Sequence, residues 1–268
     1  MTLAPPTHLY LRLAPTQLHF ARLAVTPPLY FEAVPYAMRH TTSLSGNLRE
    51  ARTTVPLLEA PITHTTVLVS APVTAVPLDD FQEEDCEPLY NACFATERPH
   101  RIFYDVVPSA HVVLLFAVET AVCHSLEETF GKVYFTSALT PLLRHFGVKA
   151  LNASPQRVFV HRHDEAVDIA IFEGKSLLAL NTFNVQTATD VAYYVFNLLR
   201  KLDLPIATTP LYVSAPSTER VNLMAALQAH SPQIFPIKAS SEFNRHPITL
   251  QKGLPYDLVT LLMSKVLG

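Results

Sequence analysis

The chain has 268 residues, 49% of them hydrophobic, and its 20 basic against 23 acidic residues give a formal net charge of −3. That length can bury one large or two smaller cores without staples, and that charge excludes the global basic field that drives nucleic-acid or acidic-membrane binding. The longest apolar runs, such as residues 111–118, have strand length rather than the roughly 20 residues a membrane helix needs, so no membrane span is expected.

In chain order, residues 9–13, 17–25 and 29–34 alternate as three strands, joined by the turns Ala14-Pro15-Thr16 and Thr26-Pro27-Pro28. Residues 45–58 follow as a helix that Pro56 ends early. Residues 66–70 read as a strand, and residues 81–94 as a helix with acids at its start, where the dipole favours them. Strands at 101–107 and 111–118, a helix at 119–130, a strand at 133–136 and a helix at 139–146 complete the first half.

The second half is easier to read, because its hydrophobic period switches between about two and about 3.6 residues. Strands at 157–163, 167–172 and 176–183 are separated by short polar turns. Val191, Tyr194, Val195, Leu198, Leu199 and Leu202 recur at helical spacing over residues 189–202, with Thr187 or Thr189 as cap and Pro205 beyond the end. A strand at 210–215, a helix at 217–230 capped by Ser217, a strand at 234–238 and a helix at 256–267 give the order βββαβαβα. The first half opens in the same order, and Val-Ser-Ala-Pro recurs at residues 69–72 and 213–216, after the fourth strand of each half. Two α/β domains are expected, at 1–150 with an extra subdomain at about 100–137, and at 151–268.

Residues 1–6 lack the basic cluster, apolar core and cleavage site of a secretory leader, and Cys86, Cys93 and Cys123 form no C-x-x-C pair. Both features point to the cytoplasm. Cys86 and Cys93, seven apart on one helix, are expected to face one core as small apolar residues.

The element order, the repeated Val-Ser-Ala-Pro, and the segments 101–136 and 156–203 resemble the actin-like ATPase superfold, two tandem ribonuclease-H-like units with mixed sheets flanked by helices. Within it the chain is similar to an uncharacterised Bacteroidetes family assigned that fold, and more loosely to the bacterial pilus-assembly and cell-division relatives of actin. The resemblance covers nearly the whole chain and implies a nucleotide site between the halves, built from two Asp-x-Gly hairpins and a Gly-Gly pair. At the matching positions stand Ala14, Pro15 and Thr16, then Asp164 and Glu165, then Ser214 and Ser217. None is glycine, although a backbone that touches phosphate needs glycine, and proline has no amide to donate. The chain holds only six glycines in all, so no cofactor is expected.

Other chemistry is weighed on the residues alone. His161 and His163, two apart on a strand, share a face with imidazoles that suit zinc, and Asp164 and Asp168 lie close by. A polar strand end beside a hairpin turn is the reading adopted for them, and no metal ligands are assigned. No G-x-S-x-G elbow is present, so Ser70 and Ser214 read as turn or capping residues. Arg98, His100 and Arg101, near Tyr104, read as a solvated loop, and residues 193–196 as aromatic packing on a helix. The expectation is a non-catalytic binding or scaffold protein with an unidentified protein partner and no nucleic acid. The alternatives are a divergent nucleotide-binding ATPase of the pilus-assembly or cell-division type, and a metal-dependent hydrolase acting through His161 and His163.

Overall fold

The computed structural model describes residues 7–24, 30–95, 97–151 and 156–267. The expected turn at Thr26-Pro27-Pro28 and the ends of the two strands beside it lie outside these residues, as do residues 1–6. Two compact units account for the chain: Met1–Val106, Val113–Pro141 and Leu261–Gly268 form the first, Val107–Val112 and Leu142–Thr260 the second.

In the first unit, β1 (Thr7–Leu13), β2 (Gln17–Ala24), β3 (Tyr30–Ala37), β4 (Ile62–Val69) and β8 (Val133–Ser137) form a sheet in the order β3-β2-β1-β4-β8. β1 runs antiparallel to β2 and parallel to β4, so the sheet is mixed. Alternation sorts the side chains by face. Leu9 and Leu11 of β1, Leu18 and Phe20 of β2, and Val67 and Val69 of β4 turn to one side. There they meet Leu48 and Ala51 of α1 (Leu44–Thr54) and Cys123, Leu126 and Phe130 of α3 (Thr120–Phe130). Burying a leucine, valine or phenylalanine of this cluster contributes on the order of 1.5–3 kcal/mol. Ser43 caps α1 by accepting from the Gly46 amide, and Pro56 opens a short 3-10 turn that ends the helical run, as the sequence implies.

Between β4 and α3 the chain builds a smaller sheet, β5-β7-β6, from β5 (Val73–Pro77), β6 (His100–Val107) and β7 (Val112–Glu119). Leu115 and Val113 of β7 pack on Cys86 and Tyr90 of α2 (Cys86–Cys93). Two expectations need correction here. Residues 81–85, expected to open the helix, instead hold only a 3-10 turn at Glu83–Asp85, and α2 begins at Cys86. Cys86 is buried as expected, but Cys93, the last residue of the short helix, is exposed. Within residues 100–137, only β6 and β7 belong to the small sheet, whereas β8 pairs with β4 in the main one.

The second unit repeats the main sheet. β9 (Arg157–His163), β10 (Ala166–Glu173), β11 (Ser176–Asn184), β12 (Leu211–Ser214) and β13 (Ile234–Pro236) take the order β11-β10-β9-β12-β13, the topology of the first sheet strand for strand. Val158, Val160, Val167, Ile169 and Ile171 pack on Val191, Val195 and Leu199 of α5 (Ala188–Lys201), and on Leu223 and Leu227 of α6 (Arg220–Gln228). Thr187 and Asp190 close a capping box at the start of α5, the first of the two caps the sequence allows. Ser217 is not a cap. The amides of Glu219 and Arg220 bond to Pro216 O in a turn, and α6 starts only at Arg220.

On the opposite face of β9, Phe159 stacks on Phe146 of α4 (Leu139–Ala150), their rings 4.3 Å apart. Phe146 also stacks on Tyr256 at the start of α9 (Tyr256–Leu267). α7 (Ala239–Glu242) and α8 (Pro247–Leu250), each a single turn, are too short to leave a periodic signal in the sequence.

Candidate functional site

Beyond Phe159, the same face of β9 carries His161 and then His163, while β10 sets Asp168 directly across from His161. All three are buried, at 3%, 8% and 6% exposure, so this strand end is no solvated one. Strand alternation shows which side chains share a face, and the packing against that face is what removes them from water. The imidazoles stack with centroids 4.9 Å apart and planes 16° from parallel. His163 Nε2 comes within 2.8 Å of Asp168 Oδ2, an ion-pair approach without hydrogen-bond alignment. The other ring nitrogen, Nδ1, lies 3.1 Å from Asp164 Oδ2. On the far side of β10, Thr182 of β11 donates to Asp168 Oδ1 at 2.7 Å, the two residues being cross-strand partners.

Burial alone would push the His163 imidazole down, but the Asp168 charge, aided by Asp164 and Asp257, outweighs it and raises the group to about 10. Burial likewise opposes ionisation of Asp168, and His163 beside it holds the carboxyl below the usual range. Ser214 sits beside His161 in the parallel register of β12 and β9, and is buried. Neither Thr182 nor Ser214 stands out in the sequence as part of this cluster. Both positions follow only once strand register is known.

The turn that leaves β9 has a polarity of its own. Arg162, on the opposite strand face from His161 and His163, is 6% exposed and directs Nη1 at the carbonyl oxygens of His163, Asp164 and Ala166. Its Nε lies 3.0 Å from a Glu219 carboxylate oxygen. The β9–β10 turn therefore converges its carbonyls on a guanidinium. Asp164 enters the left-handed region at φ 43°, which a short acid side chain tolerates, and Glu165 is exposed.

In the first unit, the β1–β2 turn places Ala14 in the interior and Pro15 and Thr16 in solvent. The Ala14 amide is committed to Gln17 O at 3.3 Å, and Pro15 has none. At the second Val-Ser-Ala-Pro, Ala215 O accepts from Arg220 Nη2 at 2.9 Å, while Ser217 is exposed. The basic residues near Tyr104 are individually partnered: Arg98 bonds Glu119, Arg101 bonds Glu127, and His100 Nε2 bonds Asn91. Of the aromatic run on α5, Phe196 is buried and Tyr194 stacks on Phe183, whereas Tyr193 is exposed.

A mixed sheet of order 3-2-1-4-5 with flanking helices, present twice, defines an actin-like ATPase fold. A Bacteroides thetaiotaomicron protein with that fold and unknown function superposes with a TM-score of 0.82, at 21% identity over 96% of this chain and 95% of that one. A chain of the PilM-PilN type IV pilus biogenesis complex superposes with a TM-score of 0.63, at 11% identity over 97% and 98%. No curated protein matches the sequence. Residues 3–234 match the model of a protein family of unknown function, DUF3822, and the chain belongs to that family.

Proposed function

We propose that this protein is a non-catalytic actin-fold module that binds a partner protein, and that it does not cradle or hydrolyse ATP. The observation that carries this reading is the β9–β10 turn, where three carbonyl oxygens and a buried guanidinium occupy one another. A phosphate cradle has the opposite polarity, since it presents unengaged backbone amides to the anion. The turn of the first unit supports the same reading, with one amide spent within the hairpin and a proline beside it. Similarity to a chain of the PilM-PilN complex supports a role within an assembly.

The test is a thermal-shift titration with Mg-ATP. A ligand at a hundred times its Kd would add about 2.7 kcal/mol of stability, or a rise of roughly 5–10 °C for a chain of this size. An unchanged Tm at millimolar Mg-ATP is the expected result. A saturable rise would favour the nucleotide-binding alternative and remove the scaffold reading.

A further inference from the structure

We propose that His161, His163 and Asp168 bind one divalent transition-metal ion, Zn2+ by the character of the donor set, inside the second unit. Two imidazole nitrogens and a carboxylate oxygen are the mixture that suits zinc, and they share one buried face of a rigid hairpin. Their candidate donor atoms all lie within 4.8 Å of one another. Ligands about 2.0–2.2 Å from a tetrahedral ion sit roughly 3.5 Å apart, so side-chain shifts of about 1 Å close the set without moving the strands.

The surroundings match what metal ligands require. A ligating histidine has its second nitrogen held by a carboxylate or carbonyl, which orients the ring and raises its basicity. Asp164 stands in that position on His163 Nδ1 and leaves Nε2 to face Asp168. A ligating carboxylate is itself hydrogen-bonded, and Thr182 does this at Asp168 Oδ1, leaving Oδ2 on the side of the histidines. The two imidazoles stack at 4.9 Å, and Asp168 lies directly across from His161, so both rings and the carboxylate converge on one place. A metal ion uses all three donors at once. This site is independent of the partner-binding reading, because it needs no nucleotide and no second protein.

The experiment uses the full chain, stripped with a chelator and dialysed. Elemental analysis after Zn2+ loading should give one ion per chain, with a Tm rise of several degrees. Co2+ should bind at the same stoichiometry, with visible absorption of low-coordinate geometry. His161→Ala should lose that ion and that absorption, whereas His64→Ala, which alters the separate His8–His64 pair, should keep both. Thr182→Val, close in shape to the native residue, should weaken the affinity roughly tenfold or more, the usual cost of an outer partner. If His161→Ala does not fold, the Thr182→Val affinity decides. The proposal is overturned if folded wild type takes up no Zn2+, if folded His161→Ala binds it unchanged, or if Thr182→Val leaves the affinity unaltered.

Discussion

Arg162 brings a buried guanidinium to the turn end of β9, beyond Val158, Phe159 and Val160, and its role is architectural. The turn that follows β9 directs three carbonyls at the Arg162 guanidinium, and each such hydrogen bond to a charged group contributes about 1.5–3 kcal/mol at most. Arg162 satisfies all three carbonyls from one nitrogen and sets its Nε against Glu219, which joins the turn to the entry of α6. Replacing it with methionine keeps the stem and removes the donors. Arg162→Met should therefore lower the stability by about 2–4 kcal/mol in urea unfolding, and Arg162→Lys by less, since lysine keeps the charge but not the planar fork. A loss below about 0.5 kcal/mol for Arg162→Met, within the range of ordinary surface substitutions, would show that the turn does not depend on this side chain.

Among the elements, α4 makes a close approach that only glycine permits. A Cβ on Gly147 would lie 2.3 Å from the Ser109 carbonyl oxygen and 2.7 Å from its carbon, backbone atoms with no flexible end to move aside. Alanine is better than glycine in a helix interior by about 0.8–1.0 kcal/mol, so the sign depends on which effect is larger. Overpacking typically costs about 1–3 kcal/mol, and Gly147→Ala should be destabilising by about 1 kcal/mol or more, measured as a lowered urea midpoint at unchanged m-value. A raised midpoint would mean that the turn at Ser109 gives way freely.

The elements most readable in the sequence are those whose local signals agree with their packing. Residues 157–184 alternate cleanly between turns, and α5 carries both a capping box and an apolar stripe, so strand and helix limits emerge close to the observed ones. Where a signal fails, a specific residue is responsible. Pro88 has no amide to donate to residue 84, so it is accommodated only within the first turn, and α2 begins at Cys86. β5 is five residues long and ends in Pro77, too short for alternation to mark it. The candidate site was half readable in the same way. The period of two put His161 and His163 on one face, but their burial and the contributions of Thr182 and Ser214 depend on register and packing between segments far apart in sequence.

At the scale of the molecule, the two units share more than strand order. In each, the valine of Val-Ser-Ala-Pro gives its carbonyl to the residue just after the next parallel strand: Val69 O accepts from Ala138 N at 2.8 Å, and Val213 O from Ile237 N at 2.7 Å. The ionisable groups, by contrast, differ, and so does the acid sensitivity of each unit. In the first, burial and then the neighbouring His64 and Lys265 hold His8 down at about 4 against an ordinary 6.5. Between those values the unfolded chain binds more protons than the folded one, so this stabilisation is complete above pH 6.5 and fades as the pH falls towards 4. In the second unit, hydrogen bonds from His145 and Lys149 hold Glu242 at about 2 against 4.5, outweighing its burial. Its contribution, on the order of 3 kcal/mol at most, is complete above pH 4.5 and is lost as the pH falls towards 2. Below about pH 6, beneath the range in which the raised His163 adds an opposite slope, Tm measured down to pH 2.5 should therefore decline in two windows. His8→Asn should flatten the decline between pH 6.5 and 4 and leave the lower window in place, while Glu242→Gln should flatten only part of the lower one, because Asp168 and Asp190 are also held below their ordinary values. A wild-type slope retained by His8→Asn above pH 4.5 would show that His8 is not the group that senses the first stage of acidification.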